Sequence, residues 1–243
     1  MKKTLLTLAL ATALVSSGFA QGFVYYGNGN NAKVTTNSVV GGASTGSMMA
    51  NDSTTSGTYY FALFYSAAAT TVNGSSAAIV GNTGATYAFN DANWTFLNPT
   101  AGQAGSYTYG PGYAVNTASA GLFATLYNDA SQNATLVPFT SAAQFVVIGW
   151  SANIGSTWQS VQSYLLNPTV TGWVGESIVS GAITPGNPQA SPPSTPASLF
   201  GGAATTGVLH GFTLGVVAVP EPATLAVMGL GGLSLLLFRR RNS

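Results

Sequence analysis

The residues of this chain that could do chemistry are few, and their settings argue against most of what they could do. Ser44 stands in Gly42-Ala43-Ser44-Thr45-Gly46, the G-x-S-x-G pattern of a nucleophile elbow, which exposes a serine only where a tight turn joins a strand to a helix. The stretch around it is low in complexity and no helical pattern follows it. A serine nucleophile also needs a base, and His210 is the one histidine. It lies in an apolar alternation that predicts a half-buried strand residue. One histidine and no cysteine cannot make a zinc site. Asp52, Asp91, Asp129 and Glu176 are the candidate acids of a glycosidase pair, but each aspartate sits beside Asn or Ser in a turn-like setting. No Asp-x-Asp-x-Asp-Gly calcium loop occurs, and Gly27-Asn28-Gly29-Asn30-Asn31 reads as a hairpin turn. No catalytic residue, metal or cofactor is expected.

Aromatic residues remain. Sugar rings stack on exposed Tyr and Trp faces, and in a strand the two members of an adjacent tyrosine pair point to opposite sides. Tyr25-Tyr26 and Tyr59-Tyr60 should therefore each send one ring outward, and Tyr25, Tyr59 and Tyr109 are the candidate glycan contacts. The competing role for such rings is to fill a core. Trp158 is read as a core anchor on the buried face of a helix.

The elements that must position these residues read as all-β: an antiparallel β-sandwich, jelly-roll-like, with one short helix. Short β-branched or aromatic runs at 22–26, 33–40, 58–65, 85–89, 94–97, 121–127, 134–139, 144–151, 172–180 and 208–217 are separated by Gly, Asn, Asp and Pro. The runs at 58–65 and 144–151 are the most continuously apolar, which predicts central strands. Trp158, Val161, Tyr164 and Leu165 recur at helical spacing after a capping Ser156 and before Asn167-Pro168. That helix is expected across an edge or end of the sandwich. Residues 41–57 and the proline-containing 185–196 read as loops, the latter inside the domain.

Between residues 21 and 219 only Lys33, Asp52, Asp91, Asp129 and Glu176 are charged, one positive against four negative. The whole chain is 5% charged, against about 25% in ordinary globular domains. No basic stripe exists to neutralise phosphates, so nucleic acid is not an expected partner. Serine, threonine, asparagine and glutamine must solvate the surface. These roughly 200 residues are enough for one sizeable core, and 21–219 is read as one domain.

The two ends carry addresses. Met1-Lys2-Lys3, the apolar run 5–15 and the small residues leading to Ala20 have the order of a signal peptide, residues 1–20, cleaved after Ala20. At the other end Pro220-Glu221-Pro222 precedes an apolar run, 223–238, and the cluster Arg239-Arg240-Arg241. Terminal arginines favour a cytoplasmic stop, which leaves the domain on the outer side of the inner membrane. As a helix the run covers about 24 Å at 1.5 Å per residue, short of a roughly 30 Å hydrocarbon core, which suits a transient stop better than a lasting anchor.

Residues 220–243, with the Pro-Glu-Pro triplet, the glycine-containing apolar run and the arginines in order, resemble the PEP-CTERM bacterial sorting domains. The resemblance implies handling by an exosortase, an inner-membrane cysteine transpeptidase-like enzyme of bacteria that make exopolysaccharide. The elements around Trp150, Trp158, 172–177 and 211–214 look like a recurrent type of exported PEP-CTERM protein whose biochemical role is unassigned. The reading is an exported, non-enzymatic protein of the cell envelope, cell surface or exopolysaccharide matrix, structural or adhesive. The alternatives are a carbohydrate-binding module using exposed aromatics and, third, a secreted hydrolase.

Overall fold

The computed structural model describes residues 22–38, 46–47, 59–84, 86–97, 102–104, 107–109, 113–125, 134–139, 141–187, 190–192, 194–217 and 219. The expected signal peptide and its cleavage at Ala20, the Pro220-Glu221-Pro222 triplet, the apolar run with Arg239 to Arg241, and Ser44, Asp52 and Asp129 lie outside the described residues. Among those described, no helix is long and apolar enough to cross a membrane.

The strands are β1 (Gly22–Tyr25), β2 (Thr35–Thr36), β3 (Gly46–Ser47), β4 (Tyr59–Ser66), β5 (Ile79–Val80), β6 (Thr95–Phe96), β7 (Gly102–Ala104), β8 (Tyr107–Tyr109), β9 (Tyr113–Asn116), β10 (Phe123–Thr125), β11 (Ala134–Val137), β12 (Gln144–Ser151), β13 (Gly172–Glu176), β14 (Ala197–Ser198) and β15 (Thr213–Val217). One α-helix, α1, spans Trp158–Leu166. The main sheet has ten strands in the order β10-β9-β4-β12-β13-β15-β2-β3, with β6 also on β4 and β5 also on β13. A smaller sheet runs β11-β1-β14, and β7 pairs with β8.

The two most apolar runs of the sequence are β4 and β12, paired antiparallel along their whole length from Gln144 opposite Ser66 to Ser151 opposite Tyr59. They are central because both of their faces are covered. Tyr59, Phe61, Leu63, Phe145 and Val147 pack with Val24 and Tyr26 and with Leu199, Phe200, Leu209 and Phe212. The alternate residues Ala62, Phe64, Val146, Ile148 and Trp150 pack with Val161, Tyr164 and Leu165 of α1 and with Val72, Tyr87 and Trp94. The fold is thus all-β, two packed sheets with a helix on the second face of the larger one.

Several expected elements are displaced. The helix covers a face of the main sheet and not an edge, because its stripe Val161, Tyr164 and Leu165 is the apolar cover for Ile148 and Trp150. Its cap is Thr157, whose Oγ1 accepts from Ser160 N at 3.3 Å, one residue beyond the expected Ser156. Strand structure expected at 85–89 is instead a 3-10 turn at Ala88–Asn90. The strands expected at 33–40 and 208–217 shrink to β2 and β15, which pair with each other in parallel, as do β1 and β14. Within the stretch expected as a loop at 185–196, Gly186 exchanges two backbone hydrogen bonds of 2.9 Å with Phe23.

With so few charges available, buried amides and hydroxyls complete the sheets. Asn28 does not turn a hairpin. Its Nδ2 donates to Ala32 O and Gly121 O, both at 2.8 Å, and its Oδ1 accepts from Phe123 N at 2.7 Å. Beyond β13, Ser177 and Ser180 stand in for a strand against β12: their hydroxyls accept from Val147 N at 3.0 Å and Phe145 N at 2.8 Å. Each buried donor so matched avoids a desolvation cost of about 1–3 kcal/mol.

Candidate functional site

Two concave features stand out on the helix side of the main sheet. The first is built from residues 71–94 and the end of β13. Val72 and Ser75 exchange backbone hydrogen bonds of 2.7 and 2.9 Å around Asn73 (φ 46°) and Gly74 (φ 84°), the two positive φ values of a type I′ hairpin turn. Asn73 N donates to Asp91 Oδ2 at 2.7 Å, and Asn73 Nδ2 donates to Thr86 O at 3.1 Å. Asp91 Oδ1 accepts from Asn93 N at 2.9 Å and Asn93 Nδ2 at 3.0 Å. The hairpin and the 3-10 turn are thereby held together. Between them and β13 lies a pocket of about 220 Å³ lined by Val72, Asn73, Ser75, Ala77, Ile79, Thr86 and Glu176.

Glu176 is the chemically distinctive residue. It pairs with Ile148 of β12 on one side and Ile79 of β5 on the other, and it is 1% exposed. Ala88 N donates to its Oε2 at 2.7 Å. Burial pushes its carboxyl up to about 8, with the Ala88 N–H working the other way and the Asp91 charge adding to the rise. Asp91 moves in the opposite direction, held low by the N–H groups of Asn73 and Asn93. One carboxyl raised and one lowered is the pattern of an acid–base pair. Both oxygens of Asp91 are, however, engaged by the turns they organise, as expected of a turn aspartate.

The second feature is an open groove of about 570 Å³ along α1, lined by Asn153, Gln159, Ser163, Tyr164, Asn167 and Thr169 among others, none of them charged. Leu166, 85% exposed, and Val170 lie on the same end of the helix.

Among the described sequence candidates, Asp91 and Glu176 come within electrostatic reach of each other. Tyr59 is not an outward glycan contact: it is 5% exposed in the first core. Its neighbour Tyr60 lies against Trp150 with ring centroids 6.2 Å apart. Alternation did send the two rings to opposite faces, but both faces of β4 are covered. Tyr25 is half-buried on β1, while Tyr109 belongs to β8, its side chain outside the described residues. Trp158 is half-buried and packs against the second core, its ring 6.0, 6.1 and 6.3 Å from those of Phe64, Phe89 and Phe96. His210 is half-buried with Nδ1 3.2 Å from Gly201 O. Among the described residues no three of His, Asp and Glu gather. The hairpin that frames the pocket was missed in the sequence, although Asn73-Gly74 is its signal.

Neither a curated protein nor a solved structure matches the chain. Residues 218–241 match the PEP-CTERM protein-sorting motif. That motif marks export, association with the cell envelope or surface, and sorting by an exosortase-type enzyme. The chain thus carries a PEP-CTERM protein-sorting motif at residues 218–241, and the motif implies handling by an exosortase-type enzyme.

Proposed function

We propose that the chain is a non-enzymatic structural or adhesive protein, sorted to the cell surface or the exopolysaccharide matrix. The sorting motif at 218–241 carries this reading. It is supported by the absence, among the described residues, of any cluster of three His, Asp or Glu and by the engagement of both Asp91 oxygens in turns. A domain held together by buried Asn and Ser and nearly free of charge suits a crowded, neutral exterior. Changing Pro220-Glu221-Pro222 to three alanines should leave export intact and stop tail processing, so the protein collects in the inner membrane and the surface loses it. Equal surface amounts of variant and parent, with identical C-termini by mass spectrometry, would defeat the proposal.

A second reading, contact with a neutral polysaccharide, rests on the uncharged groove along α1, whose Asn, Gln, Ser and Thr side chains offer the donors and acceptors that hydroxyl-rich polymers require. It moves the candidate contact from Tyr59 to Gln159 and Asn167. Retention of the exported protein on polysaccharide from its own cells should fall at least severalfold in Gln159→Ala/Asn167→Ala, and unchanged retention removes this reading.

A further inference from the structure

We propose that the pocket over Glu176 is a binding site for a small primary ammonium group. The pocket of about 220 Å³ is smaller than the roughly 300–1,000 Å³ of drug-sized ligand sites, which fits a head group on a short arm and not a sugar ring. Glu176 lines it, buried between β12 and β5. Among the described residues its carboxyl has one hydrogen bond, from Ala88 N to Oε2 at 2.7 Å, whereas a carboxylate has about four acceptor positions. Asn73, Ser75 and Thr86 add polar lining, and Val72, Ala77 and Ile79 supply an apolar flank for a short alkyl stem.

Charge identifies the occupant. Lys33 packs beside Gly121 and His210 beside Gly201, so no cation of the described residues lines this pocket. Asp91, bonded to Asn73 of the pocket lining, holds a negative charge nearby. The titratable groups coupled to Glu176 are Asp91 and Tyr87, both anionic when ionised, so any compensating positive charge comes from outside. A hard dication is the wrong fit, because calcium takes 6–8 oxygens and no three carboxylate or imidazole groups converge among the described residues. An ammonium needs one carboxylate oxygen and two further acceptors for its three N–H donors. On binding, the neutral carboxyl of Glu176 gives its proton to the buffer and the ammonium pairs with the carboxylate that remains.

Full-length protein in detergent micelles would be titrated calorimetrically with propylammonium chloride at pH 6.5 in two buffers of different ionisation heat. Saturable binding is expected, with a buffer-dependent heat that reports the released proton. Affinity should fall by at least about tenfold in Glu176→Gln, the range of a lost charge-assisted hydrogen bond. Ala77→Phe, which blocks the pocket while keeping the carboxyl, should abolish binding even if Glu176→Gln fails to fold. Tetramethylammonium, a cation without N–H donors, should not bind. Stronger binding of N-acetyl-lysine amide than of propylammonium would assign the group to a lysine of a partner chain, and the reverse to a free amine. The proposal fails if propylammonium does not saturate, if tetramethylammonium or calcium binds as well, or if Ala77→Phe binds unchanged.

Discussion

Glu176→Gln should make the folded protein less sensitive to pH between about 5 and 8 and more stable than the parent at pH 8. In the parent the carboxyl is raised from its ordinary 4.5 to about 8, chiefly by burial. Between those values the folded chain holds a proton that the unfolded chain has released, so raising the pH favours unfolding. The contribution is fully present below 4.5 and is lost progressively as the pH rises to about 8. Each pH unit climbed within that window costs about 1.4 kcal/mol, so the whole loss is several kcal/mol. Glutamine keeps an oxygen for the Ala88 N–H and never ionises. Urea unfolding at pH 5, 6, 7 and 8 should give parent and variant curves that approach each other at pH 5 and separate at pH 8. Parallel curves would show that Glu176 is already ionised in the folded protein and that water reaches its carboxyl.

Gly215→Ala should lower stability by about 3 kcal/mol, at the upper end of overpacking costs, or a fall in Tm of roughly 6–12 °C for a domain of this size. The reason is a shared strand edge. On the side of β13 away from β12, Gly172, Trp173 and Val174 pair with β15, while Gly175 and Glu176 pair with β5. Strands β5 and β15 therefore meet end to end along one edge. At the junction a Cβ on Gly215 would lie 2.5 Å from Gly81 N and 2.6 Å from Val80 C, both backbone atoms that cannot turn aside. Gly81 itself has φ +55°, a conformation that side chains disfavour. Gly29→Ala is the control, since a Cβ there meets nothing within 4 Å. Equal melting of the two variants would mean that β5 and β15 do not abut.

Strands β4 and β12 were legible in the sequence because a segment covered on both faces must be apolar at nearly every position, and residues 58–65 and 144–151 announce that locally. The helix was legible for the same reason: Val161, Tyr164 and Leu165 recur at a period that needs no partner to be seen. The sorting motif is the extreme case. A membrane-embedded enzyme reads a contiguous segment, so residues 218–241 carry their meaning in order and type alone.

What alternation could not reveal was how many layers cover a strand. It placed Tyr59 and Tyr60 on opposite faces correctly, but only residues such as Val24, Leu209 and Phe212 on one side and α1 with Val72, Tyr87 and Trp94 on the other make both faces interior. The pocket has the same origin. The carboxyl of Glu176 is raised because burial between Ile79 and Ile148, both distant in sequence, outweighs the N–H that Ala88 donates to it. Gly215 is obligatory because Gly81 lies against it. The sequence by itself determined the signals that are read locally: the apolar runs, the helical period and the sorting tail. Tertiary structure alone decided burial, the ionisation of Glu176 and the need for glycine, because each depends on which distant backbone arrives next to a residue, and no local pattern encodes that neighbour.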